Sequence, residues 1–160
     1  MTLSPKYDTT GKDICRIHKL WLGNIYEWAG KYRQVNLSKG DFQFSTSAHI
    51  PRLIGDFEKG QLAINTPCIF ATIEEIARAI ATVHVELLLI HPFREGNGRV
   101  ARLLADLMAM QADLPPLNYV QLESKKWGNY IKAIHAGMSK NYAPMTEIFV
   151  DVINQTMKKT

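Results

Sequence analysis

Cysteine is scarce: Cys15 and Cys68 are the only two among 160 residues, too few and too widely spaced for a disulfide framework or a thiolate zinc site. Two free thiols in a reducing compartment are the expectation. No apolar run approaches the ~18 residues of a membrane span, and Met1 to Ile14 is polar, with Pro5 and Gly11 where a secretory leader would be apolar. The expected location is therefore cytoplasmic, with later export as an effector left open. Repeats, low-complexity tracts and blocks of like charge are also missing. Nineteen basic residues against fifteen acidic leave a formal charge of +4. That favours an anionic ligand without supplying the dense basic stripe of a nucleic-acid binder. Neither a Walker phosphate loop nor a His-Glu-x-x-His zinc motif is present.

What is present is a globular composition, 46% hydrophobic and 21% charged, at a length that corresponds to about one domain. We expect a single domain over 1–160. The periodicity is helical almost throughout. Ile14, Ile17 and Trp21 line one face of a helix that Gly23 and Asn24 can end. Pro51, Leu53, Ile54 and Phe57 predict another, closing near Gly60. Thr72 and Glu75 form a capping box ahead of Ile73–Ile90, a run apolar on nearly every face and so predicted to lie at the centre of a bundle. Val100, Leu103, Leu104, Leu107 and Met108 mark a second core helix, stopped by Pro115 and Pro116. One helix is predicted from Leu122 to Gly137 and a last one after Pro144. The exception is Val35 to Phe44, where alternation on either side of Ser38, Lys39, Gly40 and Asp41 predicts a β-hairpin. A lone hairpin is marginal by itself, so it must pack on the helices or act as a flap that pairs with an extended peptide. The fold class is all-α with one short hairpin.

The polar residues that matter lie between the two core helices, in His91-Pro92-Phe93-Arg94-Glu95-Gly96-Asn97-Gly98-Arg99-Val100-Ala101-Arg102. Gly96, Asn97 and Gly98 tolerate positive φ, so their N–H groups can converge on an anion just where a helix starts and its dipole is positive. Arg99 and Arg102 share one face of that first turn, where a cation is disfavoured by ~0.3–1 kcal/mol. They call for an anion, either a polyphosphate or a carboxylate of the protein itself. Glu95 is placed to help hold Mg²⁺ beside phosphate oxygens, or else is a solvated charge. His91, at the end of the buried helix, can take a proton from a hydroxyl, or simply bond a carbonyl. Phe93 anchors the loop. Gly96-x-Gly98-x-x-Ala101 also matches a dinucleotide fingerprint, but that motif needs a strand before Gly96. His84-Val85-Glu86 lacks the paired cysteines of a zinc deaminase, and His84 reads as a core histidine.

This twelve-residue stretch resembles the signature of the Fic family, His-x-Phe-x-(Asp/Glu)-Gly-Asn-Gly-Arg-x-x-Arg, at every specified position. Ile25 to Arg33 and Ser38 to Phe42 are similar to the segment leading into that family's flap, so the likeness spans roughly Ile14 to Val152. It implies a Fic fold and transfer of AMP from Mg·ATP to a Tyr, Thr or Ser hydroxyl of a target protein, in a bacterial toxin or effector core. On that resemblance His91 is the general base and Glu95 holds Mg²⁺. Gly96, Asn97 and Gly98 cradle the phosphates, Arg99 and Arg102 neutralise them, and the flap of Lys39, Gly40, Asp41 and Phe42 registers the target. A kinase branch carries Lys where this chain has Gly98. Many relatives are restrained by a (Ser/Thr)-x-x-x-Glu-(Gly/Asn) helix whose glutamate engages the second arginine. No such motif occurs here, so an antitoxin acting in trans is one expected partner. The rival reading is a catalytically silent nucleotide-binding or interaction module on the same scaffold.

Overall fold

The computed structural model describes residues 8–160, except for the side chains of 124 and 125. The opening residues through Tyr7, including Pro5, lie outside the described residues. Helix α1 (Gly11–Leu22) starts at Thr10, whose hydroxyl accepts from the Asp13 N–H while the Asp13 carboxylate accepts from the Thr10 N–H. A second capping box, between Thr72 and Glu75, opens α4 (Ile73–Ile90) as the spacing predicts. Each such box satisfies two otherwise orphaned donors.

Helix α4 is buried on nearly all faces and packs chiefly against α8 (Ala143–Lys158) and α5 (Asn97–Gln111). Phe93, Phe149, Ile80, Leu104 and Met108 are among the fully buried side chains of one continuous apolar cluster, each stabilising the fold by roughly 1.5–3 kcal/mol. The dinucleotide reading fails here, because the element before Gly96 is a helix rather than a strand. No helix among the described residues is long and apolar enough to cross a membrane. Cys15 and Cys68 are free.

Three boundaries differ from the sequence expectation. The helix begun by α2 (Ile50–Phe57) does not close at Gly60; it continues through a π-helical turn over Glu58–Leu62 into α3 (Ala63–Asn65). Leu62 lies five positions beyond Phe57, and the wider turn brings both onto the buried face, where an α-helical turn would rotate Leu62 away. The predicted helix from Leu122 is two, α6 (Val120–Lys125) and α7 (Trp127–Ala136), interrupted at Lys126 where φ falls to −122°. In the hairpin, Ser38 and Lys39 are strand rather than turn: β1 (Ser38–Lys39) pairs antiparallel with β2 (Phe42–Gln43), and only Gly40 and Asp41 make the turn. Gly40 supplies the positive φ, +60°, that so tight a reversal requires. The Phe44 N–H bond to the Leu37 carbonyl extends the pairing at 3.1 Å.

Candidate active site

The loop between α4 and α5 is held rigid from within. Asn97 is buried, its amide oxygen accepting from the Phe93 N–H at 2.9 Å and its amide nitrogen donating to the Phe93 carbonyl at 2.8 Å. Its side chain is thus committed to the loop, and only its backbone remains to meet an anion. Gly96 caps α5 with φ +85°, and a Cβ there would lie 2.8 Å from the Trp21 ring. Phe93 is fully buried and stacks on His18 at 3.8 Å. His18 is tied on both nitrogens: the Gly30 N–H donates to Nδ1 at 2.8 Å, so Nε2 carries the proton and donates to the Glu95 carbonyl at 2.9 Å. Burial lowers the His18 pKa, which keeps that neutral tautomer.

His91 terminates α4 in the left-handed conformation, φ 52° and ψ 60°, which turns its ring back towards the hairpin. The ring stacks on Phe44 at 3.6 Å. Nδ1 lies 3.3 Å from the Leu88 carbonyl, which can only accept, so Nδ1 holds the proton and Nε2 keeps a lone pair. Burial is the main cause of a His91 pKa lowered to about 4, with the Arg33 and Lys39 charges adding to it and the Leu88 bond opposing it. At neutral pH this imidazole is an unprotonated acceptor. Its backbone is held by Arg33, a residue whose part the sequence reading missed. That buried guanidinium donates to the carbonyls of His91 (2.7 Å), Val35 (2.8 Å) and Ser45 (2.6 Å), tying the hairpin's base to the end of α4. No local pattern marks such a role, since all but one of its acceptors are distant in sequence.

His91 opens onto a cleft of about 290 Å³ whose lining includes Lys39, Phe44, Gly98, Arg99 and Arg102 together with Trp127, Tyr130, Ile131 and Ile134 of α7. The lining thus combines three cations and an imidazole with aromatic and aliphatic side chains. A Cβ built on Gly98 meets nothing within 4 Å, so glycine keeps the space beside the α5 N-terminus open. Arg99 lies over the Trp21 ring at 5.1 Å. Arg102 lies over the Tyr119 ring at 5.2 Å and forms an ion pair with Glu123 of α6. Glu123 is the second residue the sequence reading missed, because it lies outside any (Ser/Thr)-x-x-x-Glu-(Gly/Asn) pattern. Its carboxylate is 56% exposed, so the pair contributes only about 0–1 kcal/mol.

The Glu95 side chain is exposed at the loop's rim, off the cleft wall, and its carboxylate bonds to nothing among the described residues. A carboxylate free of protein partners fits the donor set of Mg²⁺, which takes one or two carboxylates plus phosphate oxygens and waters. No cluster of three or more His, Cys, Asp or Glu among the described residues forms an all-protein metal cage. Of the hairpin residues, Lys39 reaches the cleft, Phe42 stacks on His135 at 4.5 Å, and Gly40 and Asp41 form the exposed tip.

Solved structures share this fold. The N-terminal FIC domain of the Bep8 effector from Bartonella sp. 1-1C matches 96% of this chain and 76% of its own length with a TM-score of 0.77 and 22% identity. BepC from Bartonella tribocorum, solved with bound AMPPNP, matches with a TM-score of 0.72 at 23% identity over 94% of this chain and 77% of its own. By sequence, a protein adenylyltransferase Fic from Nematostella vectensis is 38% identical over 109 residues, 66% of this chain. A probable protein adenylyltransferase Fic from Salmonella typhimurium is 25% identical over 89% of this chain and 68% of its own length. The chain spans 24% of the Nematostella protein and 30% of a Drosophila melanogaster protein adenylyltransferase Fic. The Fic/DOC family model matches residues 8–109, a stretch that holds α1, the hairpin, α4, the whole His91–Arg102 loop and most of α5, and on that match the chain belongs to the Fic/DOC family.

Proposed function

We propose that this protein is an adenylyltransferase that moves AMP from Mg·ATP to a Tyr, Thr or Ser hydroxyl of a target protein, as the core of a toxin or effector. The observation that carries the reading is His91: a neutral imidazole with a free Nε2 in the same cleft as Lys39 and as Arg99 and Arg102 at the start of α5. The target oxygen attacks the α-phosphorus, the bond to the β-phosphate breaks, and the hydroxyl proton passes to His91 Nε2 while pyrophosphate leaves. The backbone N–H groups of Gly96, Asn97 and Gly98 with Arg99 and Arg102 hold the phosphate chain. The α7 side chains Trp127, Tyr130, Ile131 and Ile134 in the same cleft take the base. Glu95 would hold Mg²⁺, which neutralises charge on the phosphates when bound. Lys39 to Phe42 would register the target as an added strand along the two-stranded sheet.

The test is incubation with Mg²⁺, a cell lysate and ATP labelled at either the α- or the γ-phosphate. Label from the α-position should reach protein, and only with intact His91. Transfer of the γ-label instead would make the reaction phosphorylation, and nucleotide binding without transfer would leave the silent module as the better reading.

Glu123 occupies the arginine that the phosphates need, so Glu123→Ala is expected to raise Mg·ATP affinity by up to about fivefold, the equivalent of ~1 kcal/mol for an exposed pair. Titration calorimetry measures it, and unchanged affinity would mean the pair does not compete. Once freed from Glu123, Arg102 is also where an antitoxin would place an inhibitory glutamate in trans.

A further inference from the structure

His18 is fully buried in α1 and does not line the cleft. It meets the anion loop in two ways. The flat of its ring lies on Phe93, with centroids 3.8 Å apart and planes within 4°, and its edge donates from Nε2 to the Glu95 carbonyl at 2.9 Å. The opposite edge dictates that direction. The Gly30 N–H reaches Nδ1 at 2.8 Å and can only donate, so Nδ1 holds a lone pair and Nε2 the proton. Gly30 comes that near because it has no side chain: at its φ of +80° a Cβ would lie 2.8 Å from the Lys19 Cβ. Trp21 and Leu22 follow His18 at three and four positions on the same helical face, and a Cβ on Gly96 would meet them at 2.8 and 3.1 Å. Helix α1 thus presents one face to the Glu95–Gly96 peptide. That peptide is planar and trans, so its C=O and N–H point in opposite directions. A carbonyl drawn to His18 turns the Gly96 N–H away from α1. Among the described residues no acceptor meets that N–H, nor those of Asn97 and Gly98, which open α5.

We propose that His18 is a positioning residue for the phosphates: by holding the Glu95 carbonyl it keeps the Gly96 N–H turned from α1, as a donor to the phosphate chain beside the N–H groups of Asn97 and Gly98. The proposal rests on the nucleotide reading of the cleft. It makes α1, which contributes no side chain to the cleft lining, a working part of the anion site. A histidine that served packing alone would be missed in the melting temperature, whichever of its two bonds a substitute kept.

Two amides divide those bonds. In His18→Gln the amide nitrogen takes the place of Nε2 and can donate to Glu95. In His18→Asn the amide oxygen takes the place of Nδ1 and can accept from Gly30, while the Glu95 carbonyl loses its donor. Both lose the stack on Phe93, so both should melt below the wild type. Titration with Mg·ATP and with magnesium pyrophosphate should separate them. His18→Asn is expected to bind both ligands about tenfold more weakly, the scale of one hydrogen bond to a charged group, and His18→Gln to stay within about threefold of the wild type. If the variants fail to fold, the wild type decides by NMR: the Gly96 amide proton should move downfield on saturation with magnesium pyrophosphate, together with those of Asn97 and Gly98. An unchanged affinity in His18→Asn, a loss in His18→Gln as large or larger, or a Gly96 amide that stays in place while its two neighbours shift would each overturn the proposal and leave the nucleotide reading intact. A wild type that binds neither Mg·ATP nor pyrophosphate would remove that reading, and the proposal with it.

Discussion

Replacing His91 with alanine is expected to slow AMP transfer by about 10²–10⁴-fold, the usual contribution of a positioned general base, with Mg·ATP affinity nearly unchanged because the cations that hold the phosphates are untouched. Single-turnover transfer from α-labelled ATP, beside nucleotide titration of the same variant, separates the two effects. The pH profile adds a second measurement with a defined sign. His91 is held below its ordinary 6.5, at about 4, so the imidazole is in its acceptor form throughout the neutral range. The acid limb of kcat/KM, which reports the free enzyme, should therefore appear near pH 4, whereas a solvated histidine would place it at 6.5. Bound phosphates favour the imidazolium, so the limb in kcat should lie at higher pH than that in kcat/KM. A variant that transfers AMP as fast as the wild type would remove His91 from the chemistry. A kcat/KM limb at 6.5 would show that burial and the neighbouring Arg33 and Lys39 charges do not hold the ring neutral.

Arg33→Met should be the most damaging substitution outside the cleft. It leaves the carbonyls of His91, Val35 and Ser45 without their donor, at roughly 1–3 kcal/mol for each group that water does not reach. An overall loss of about 3–5 kcal/mol corresponds to a fall in melting temperature on the order of 10 °C for a domain of this size. Calorimetry measures that loss directly. Methionine keeps much of the side-chain volume, so the loss reports the hydrogen bonds rather than a cavity. Below the melting temperature the variant should still transfer AMP poorly, because the carbonyl of the base and the hairpin that stacks on its ring are no longer tied together. A melting temperature within about 2 °C of the wild type would show that solvent replaces those bonds without cost.

Comparison of the two arginines of the loop shows what a sequence can and cannot disclose about such a site. That Arg99 and Arg102 share a face with the α5 N-terminus follows from helical spacing, and the cleft contains both. Their resting partners, Trp21 and Glu123, come from elements far away in the chain, and spacing carries no information about them. The same division separates Phe93, legible as a loop anchor from its position, from His18, which fixes the loop only because α1 folds across it. Element boundaries slipped where tertiary burial overrode local rules. Gly60 is absorbed into a π-helical turn so that Leu62 can be buried, and Lys126 divides what periodicity reads as one helix. The capping box at Thr72 was legible because all of its atoms lie within one turn.

The left-handed backbone at His91 sets two demands on one position that no single residue meets. Glycine would take φ 52° freely, whereas an imidazole-bearing residue carries about 1–2 kcal/mol of conformational strain there. A chain selected for robustness alone would shed that strain and with it the imidazole of the cleft, so one easy substitution separates the proposed enzyme from a silent module. The strain at position 91 is what an imidazole in this backbone costs the scaffold.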